Sequence, residues 1–125
     1  MESITERDAC FLIVLNASEE STLLELKWDL ENWDHRSIDI VQILGELIED
    51  GIVLFTDRDG DTYRDFSIFD SREIAKAWNN ADSMNIVLFL TETGMLQWQT
   101  NDWGITSERA RYLMFSNQNK DSRVK

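Results

Sequence analysis

Two patterns in this chain of 125 residues have a spacing that could do chemistry. Asp57, Asp59 and Asp61 put carboxylates at alternating positions, as calcium loops do. Such a loop also needs Gly at its sixth position, a bidentate Glu at its twelfth, and helices on both flanks. Thr62 and Ile68 stand at those two positions, and the flanks read as strands. Asp57–Asp65 is therefore read as a solvated hairpin tip whose charges also discourage edge-to-edge aggregation. The second pattern is a thiol with an imidazole: Cys10 is the sole cysteine and His35 the sole histidine. Cys10 lies in the apolar run Ala9–Leu15, where a thiol ionises poorly and is inert. One histidine also rules out a multi-histidine metal site. No Gly-rich phosphate loop, GxSxG elbow or HExxH motif occurs. Adjacent carboxylates such as Glu19-Glu20 and Glu49-Asp50 are expected by coincidence among 24 acidic residues. The expectation is a non-enzymatic domain with no catalytic residue, no cofactor and no metal.

The aromatic residues are more informative. Trp28 falls off the Leu23/Leu26/Leu30 stripe, and Trp103 lies in a polar stretch after the main elements. Tryptophan is largely buried in most proteins yet enriched at interfaces, so packing and partner contact both remain open for these two. Tyr112-Leu-Met-Phe115 supplies a further apolar face that needs covering, within the chain or across a homodimer. Trp28, Trp103, Tyr112 and Phe115 are the candidate interaction residues.

Charge narrows the class of partner. The 24 acidic and 12 basic residues give a net charge of −12 and a pI near 4.3. Residues 1–107 carry 22 acids and seven bases, net −15, whereas residues 108–125 carry two acids and five bases, net +3. Such a body repels phosphate backbones and complements a basic protein. The lone cysteine fits a reducing cytoplasm. The N-terminus is acidic, unlike a signal peptide, and no apolar run approaches the roughly 20 residues of a membrane span.

The elements that must position these residues follow from spacing and caps. Thr5-x-x-Asp8 predicts a first helix over Glu6–Asn16, and the capping box Thr22-x-x-Glu25 opens a second. Ser37 is read as the cap of a third helix, with Asp39 in its first turn and an apolar stripe of Ile40, Val41, Leu44, Leu47 and Ile48. Gly51 stands where a left-handed C-cap belongs. Ile52–Thr56 reads as a strand, Asp59-Gly60 as a tight turn, and Asp61–Phe69 as the returning strand. Ser71 then caps a short helix, Asn85–Leu90 is a buried strand, and Thr91 caps a helix through Trp98 in which Gly94 is a weak point. A last helix is expected over Glu108–Phe115, capped by Thr106 or Ser107. Residues 1–115 are read as one domain and 116–125 as a flexible polar, basic tail.

This order resembles the winged helix-turn-helix fold. The resemblance rests on Leu44-Gly-Glu-Leu-Ile-Glu-Asp-Gly-Ile-Val, which looks like the end of that fold's third helix entering its first wing strand. Leu88-Phe-Leu-Thr-Glu-Thr-Gly is similar to the strand–cap–helix segment that often follows the wing in bacterial members. It implies an α+β, winged-helix-like domain: three N-terminal helices, a β-hairpin wing, an inserted short helix, a further strand and C-terminal helices. The inserted helix departs from a minimal winged helix, and an α+β domain in which these strands form a larger sheet is the alternative. In DNA-binding members the third helix enters the major groove. Here that helix, Ser37–Asp50, carries Asp39, Glu46, Glu49 and Asp50 and no Lys or Arg. The leading expectation is therefore an acidic protein-interaction domain of inhibitor, immunity or adaptor type. The rival is a transcription regulator contacting DNA through Arg36, Arg58, Arg64 and the basic C-terminal segment. An enzyme built on scattered carboxylates is a third reading, with no residue to carry it.

Overall fold

Threonine caps set the first two helices. Thr5 Oγ1 accepts from the Asp8 N–H while the Asp8 carboxylate accepts from the Thr5 N–H, and Thr22 with Glu25 repeats the arrangement. They open α1 (Glu6–Ser18) and α2 (Leu23–Leu30). The computed structural model describes residues 2–59, 62–65, 71–100 and 104–123, with side chains for 2–57, 71–100 and 104–115. Apolar residues surround the middle of α1, and Phe11 through Leu15 are all buried. A helix apolar on every side belongs inside, and α1 packs against α2, α3, α5, α6 and β3.

The third helix begins later than its sequence suggests. Asp39, not Ser37, is the N-cap of α3 (Ile40–Glu49), its Oδ1 accepting from the Gln42 N–H at 3.1 Å. The residues before it form a turn closed by Ile38 N donating to His35 O. Gly51 takes φ +71° just past the C-cap, the left-handed exit that hands the chain to β1 (Val53–Asp59). Antiparallel β2 (Thr62–Asp65) returns in register Asp59↔Thr62. The acidic Asp57–Asp65 stretch is thus a hairpin, as its alternation suggests, with Gly60 and Asp61 outside the described residues. The rest of the expected returning strand, Phe66–Phe69, also lies outside them.

The inserted helix α4 (Ser71–Asn79) leads to β3 (Ile86–Leu90), which pairs with β1 on the side opposite β2, giving the order β2-β1-β3. The outer edge of β3 is closed by Ser21 and Thr22: Leu88 N donates to Ser21 O at 2.9 Å and Thr22 bridges Val87. The whole is an α+β, winged-helix-like arrangement whose wing strands are flanked by an extra helix and strand.

Gly94, read from sequence as a weak point, is a close-packing position. A Cβ there would stand 2.1 Å from the Ile52 carbonyl oxygen. Thr91 sets this contact, donating to the Gly51 carbonyl and accepting from the Gly94 N–H as N-cap of α5 (Glu92–Thr100). Thr106 caps α6 (Ser107–Arg123), accepting from Arg109 N. The helix continues past Phe115, where its apolar positions end. Among the described residues, no helix is long and apolar enough to cross a membrane.

Candidate functional site

Charged residues gather in two places, and they are treated differently. At the first, the segment before α1 meets α6. Asp8 is 2% exposed. Arg109 grips it with two hydrogen bonds, Nη2 to Oδ2 at 2.9 Å and Nε to Oδ1 at 3.2 Å. Its remaining nitrogen Nη1 donates to Glu2 at 3.1 Å, and the guanidinium lies 5.2 Å from the Tyr112 ring centre. Tyr112 donates its hydroxyl to Glu2 and stands edge-on to Trp33 at 6.1 Å. Burial pushes the Asp8 carboxyl up, but the Arg109 bonds and the Thr5 N–H outweigh it and hold Asp8 below the usual carboxylate range. Glu2 is lowered as well, chiefly by the Tyr112 hydroxyl. This cluster fastens α6 to the body and spends the charge of Arg109 inside the chain.

The second place is the outward side of α3, where it runs beside α4. A groove of about 660 Å3 lies between them. Its floor is apolar, formed by Val41, Gly45, Ile48 and Ile74. Its rim carries Asp39, Glu46 and Glu49, all exposed, together with Gln42 and Ser71. Asp39 uses one oxygen as helix cap and Glu46 accepts from Gln42 Nε2 at 3.2 Å. No Lys or Arg lines the groove, and no described residue forms an ion pair with its three carboxylates. Asp39 and Val41 also line an adjoining depression of about 470 Å3 that reaches His35 and Trp78. Lys27 donates to the Trp78 carbonyl and lies 5.1 Å from its ring centre.

Of the rim acids, Asp39 stands at the favourable N-terminal end of α3, but Glu46 and Glu49 occupy an unfavourable stretch. Glu46, Glu49 and Asp50 sit at the C-terminal end of α3, where the helix dipole is negative and no basic residue answers them. Each costs about 0.3–1 kcal/mol by that argument. Gly45 adds a second local cost, since Gly inside a helix is less stable than Ala by about 1 kcal/mol. Its missing side chain keeps the floor open: a Cβ would lie 3.4 Å from Ile74 Cδ1.

The candidate residues named from sequence are dispersed. Trp28 projects from α2 at 57% exposure and Phe115 from α6 at 61%. Tyr112, one turn before Phe115, is already engaged with Glu2 and Trp33. Trp103 lies outside the described residues. Arg36 is bound in two hydrogen bonds to Asp34, both 3.0 Å, and this contact holds the Asp34 carboxyl at about 2. Arg58 and Arg64 lie on β1 and β2 opposite Tyr63 and Asp57, so they are not cross-strand partners. Cys10 is half-buried. Burial raises its thiol, the nearby Glu46 and Asp50 raise it further, and Arg7 offsets part of this. The groove itself went unnoticed in the sequence. Its signal is a glycine in mid-helix flanked by acids three and four residues apart at the helix's negative end.

No family model, curated protein or solved structure matches this chain.

Proposed function

We propose that this protein is a non-enzymatic binding domain whose partner is a basic protein, met on the α3–α4 face, in an inhibitor, immunity or adaptor role. The observation that carries the reading is an apolar floor rimmed by Asp39, Glu46 and Glu49, none of which forms an ion pair with a described residue. Glu46 and Glu49 stand where the helix dipole is negative and no basic residue lies in the last turn, so nothing in α3 itself favours them there. A net charge of −12 adds long-range attraction for a basic partner and repulsion for nucleic acid.

The DNA-regulator reading draws less support. Of its basic residues, Arg36 is matched by Asp34 and Arg109 by Asp8 and Glu2. The helix it would insert into the major groove presents carboxylates. Affinity purification of the full chain from its own cell, washed at low and at high salt, separates the two. A retained protein of high pI, released as salt screens exposed charges, is the expected result. Duplex DNA affinity at about 0.15 M salt that drops on replacing Arg58 and Arg64 would overturn the proposal.

A further inference from the structure

The groove narrows the kind of partner, on the premise that the reading of a basic protein partner is correct. We infer that the α3–α4 groove receives an amphipathic helix from that partner, its apolar stripe on Val41, Ile48 and Ile74 and its Lys or Arg side chains on Asp39, Glu46 and Glu49. Both walls are helices, whose interior backbone groups are paired within the helix, so no free strand edge is offered. An extended peptide would set its own N–H and C=O groups over an apolar floor without partners, whereas a helix brings them satisfied.

Spacing sharpens the requirement. At 1.5 Å rise per residue, Asp39 and Glu46 are about 10 Å apart along α3, and Asp39 and Glu49 about 15 Å. A partner helix lying along the groove meets the first pair with cations seven residues apart, and three turns cover the whole rim. The adjoining depression extends the track past Asp39 to Trp78, where a further apolar or cationic side chain has an aromatic surface to meet. Nucleic acid is disfavoured by the sign of the rim. A second copy of this chain would have to offer α6, whose Ala110, Leu113 and Arg109 are engaged in its own fold and whose Arg111, Met114 and Phe115 are exposed, and the test separates that outcome.

The test is an NMR titration of the full chain with a synthetic 18-residue peptide carrying a leucine stripe at helical spacing flanked by Lys and Arg. Two controls accompany it: a scrambled peptide of the same composition and a charge-reversed one with Glu for each base. The expected result is movement of the Val41, Gly45, Ile48 and Ile74 amide resonances, with the scrambled peptide binding at least about fivefold more weakly. Glu46→Gln with Glu49→Gln weakens the ordered peptide about three- to tenfold at low salt. Gly45→Leu, which fills the floor without touching charge, weakens it by a similar factor. Should Gly45→Leu disturb Ile74 and lower the melting temperature, Ile48→Asn makes the same floor polar and reads the same effect. Equal binding of ordered and scrambled peptides, with floor variants silent and the double Gln variant weaker, sinks the groove but leaves a basic partner standing. Binding of the charge-reversed peptide, no binding of either basic peptide at millimolar concentration, or the same resonances moving with duplex DNA overturns both readings. Concentration-dependent dimerisation that shifts those resonances without peptide overturns the helix assignment in favour of self-association.

Discussion

Asp8 and Glu49 are both carboxylates on helices of one small acidic domain, and the protein treats them in opposite ways. Asp8 is at the start of α1, where the helix dipole favours an anion, is sealed from water, and meets a two-pronged guanidinium. Glu49 is at the end of α3, where the dipole opposes it, stands in water, and has no cation among the described residues. The first arrangement is what stability alone selects. The second leaves the carboxylate to solvent. With 24 acidic and 12 basic residues, at least half of the acids cannot have a base of their own, so what distinguishes Glu49 is its place on the rim of an apolar groove.

The sharpest way to break the comparison is to remove the matching cation. Arg109→Met keeps much of the packing volume but leaves Asp8 buried without its partner. Breaking a buried pair from one side costs about 3–5 kcal/mol. Because the Arg109 side chain is 30% exposed, the low end, about 3 kcal/mol, is expected in urea unfolding. A loss under about 1 kcal/mol would mean that Asp8 is solvated after all, and the contrast with α3 would collapse.

Acid titration reads the same cluster next. The Asp8 carboxyl is lowered in the folded chain, so its stabilisation is complete above the unfolded value near about 3.9 and fades as pH falls through the folded value. In Arg109→Met the bonds that do most to lower Asp8 are gone and only the Thr5 contacts oppose burial, so its carboxyl titrates higher than in the native chain. The stability gap between the two proteins should therefore narrow as pH drops from 6 toward 3. Thr5→Ala comes third. It removes the hydroxyl that caps α1 but leaves the Arg109 pair, and about 1 kcal/mol is expected by thermal or urea unfolding. A loss as large as that of Arg109→Met would assign the cluster's strength to the cap instead of the ion pair.

Much of this was readable from residue order, and the reasons differ by region. Thr5, Thr22, Thr91 and Thr106 each cap the helix their spacing announces, because capping is a contact over three residues and needs no tertiary information. Gly51 likewise takes the left-handed exit its position suggests. Ser37 misled because a second cap residue, Asp39, stands two positions later, and two candidates that close are not separable by propensity. Gly94 misled for the opposite reason: its purpose is a contact with Ile52, 42 positions away, which helix propensity cannot see. The pairing of Asp8 with Arg109 and the α3–α4 groove are also long-range. Sequence supplied the sign of the charge on α3, and only the packing of Ile74 against the gap at Gly45 turned that charge into a bounded surface.

The smallest stability effect is the most telling. If the α3 carboxylates are kept for a partner, the free protein should be no worse without them. Glu46→Gln with Glu49→Gln removes two anions from the unfavourable end of the dipole. It also removes like-charge repulsion between Glu46 and Glu49, three residues apart, and between Glu46 and Asp50, four apart. Glu46→Gln leaves the Gln42 side chain an amide acceptor, so that hydrogen bond can persist. The double variant should be more stable than the native chain by about 0.5–1 kcal/mol at low salt, with the gain shrinking above about 0.5 M salt as exposed charges are screened. Differential scanning calorimetry at the two salt concentrations measures it. A gain in stability joined to a loss of partner affinity is the signature of residues held against folding for binding. If the variant is instead destabilised, the acids are structural, α3 resembles α1, and the two regions follow one rule.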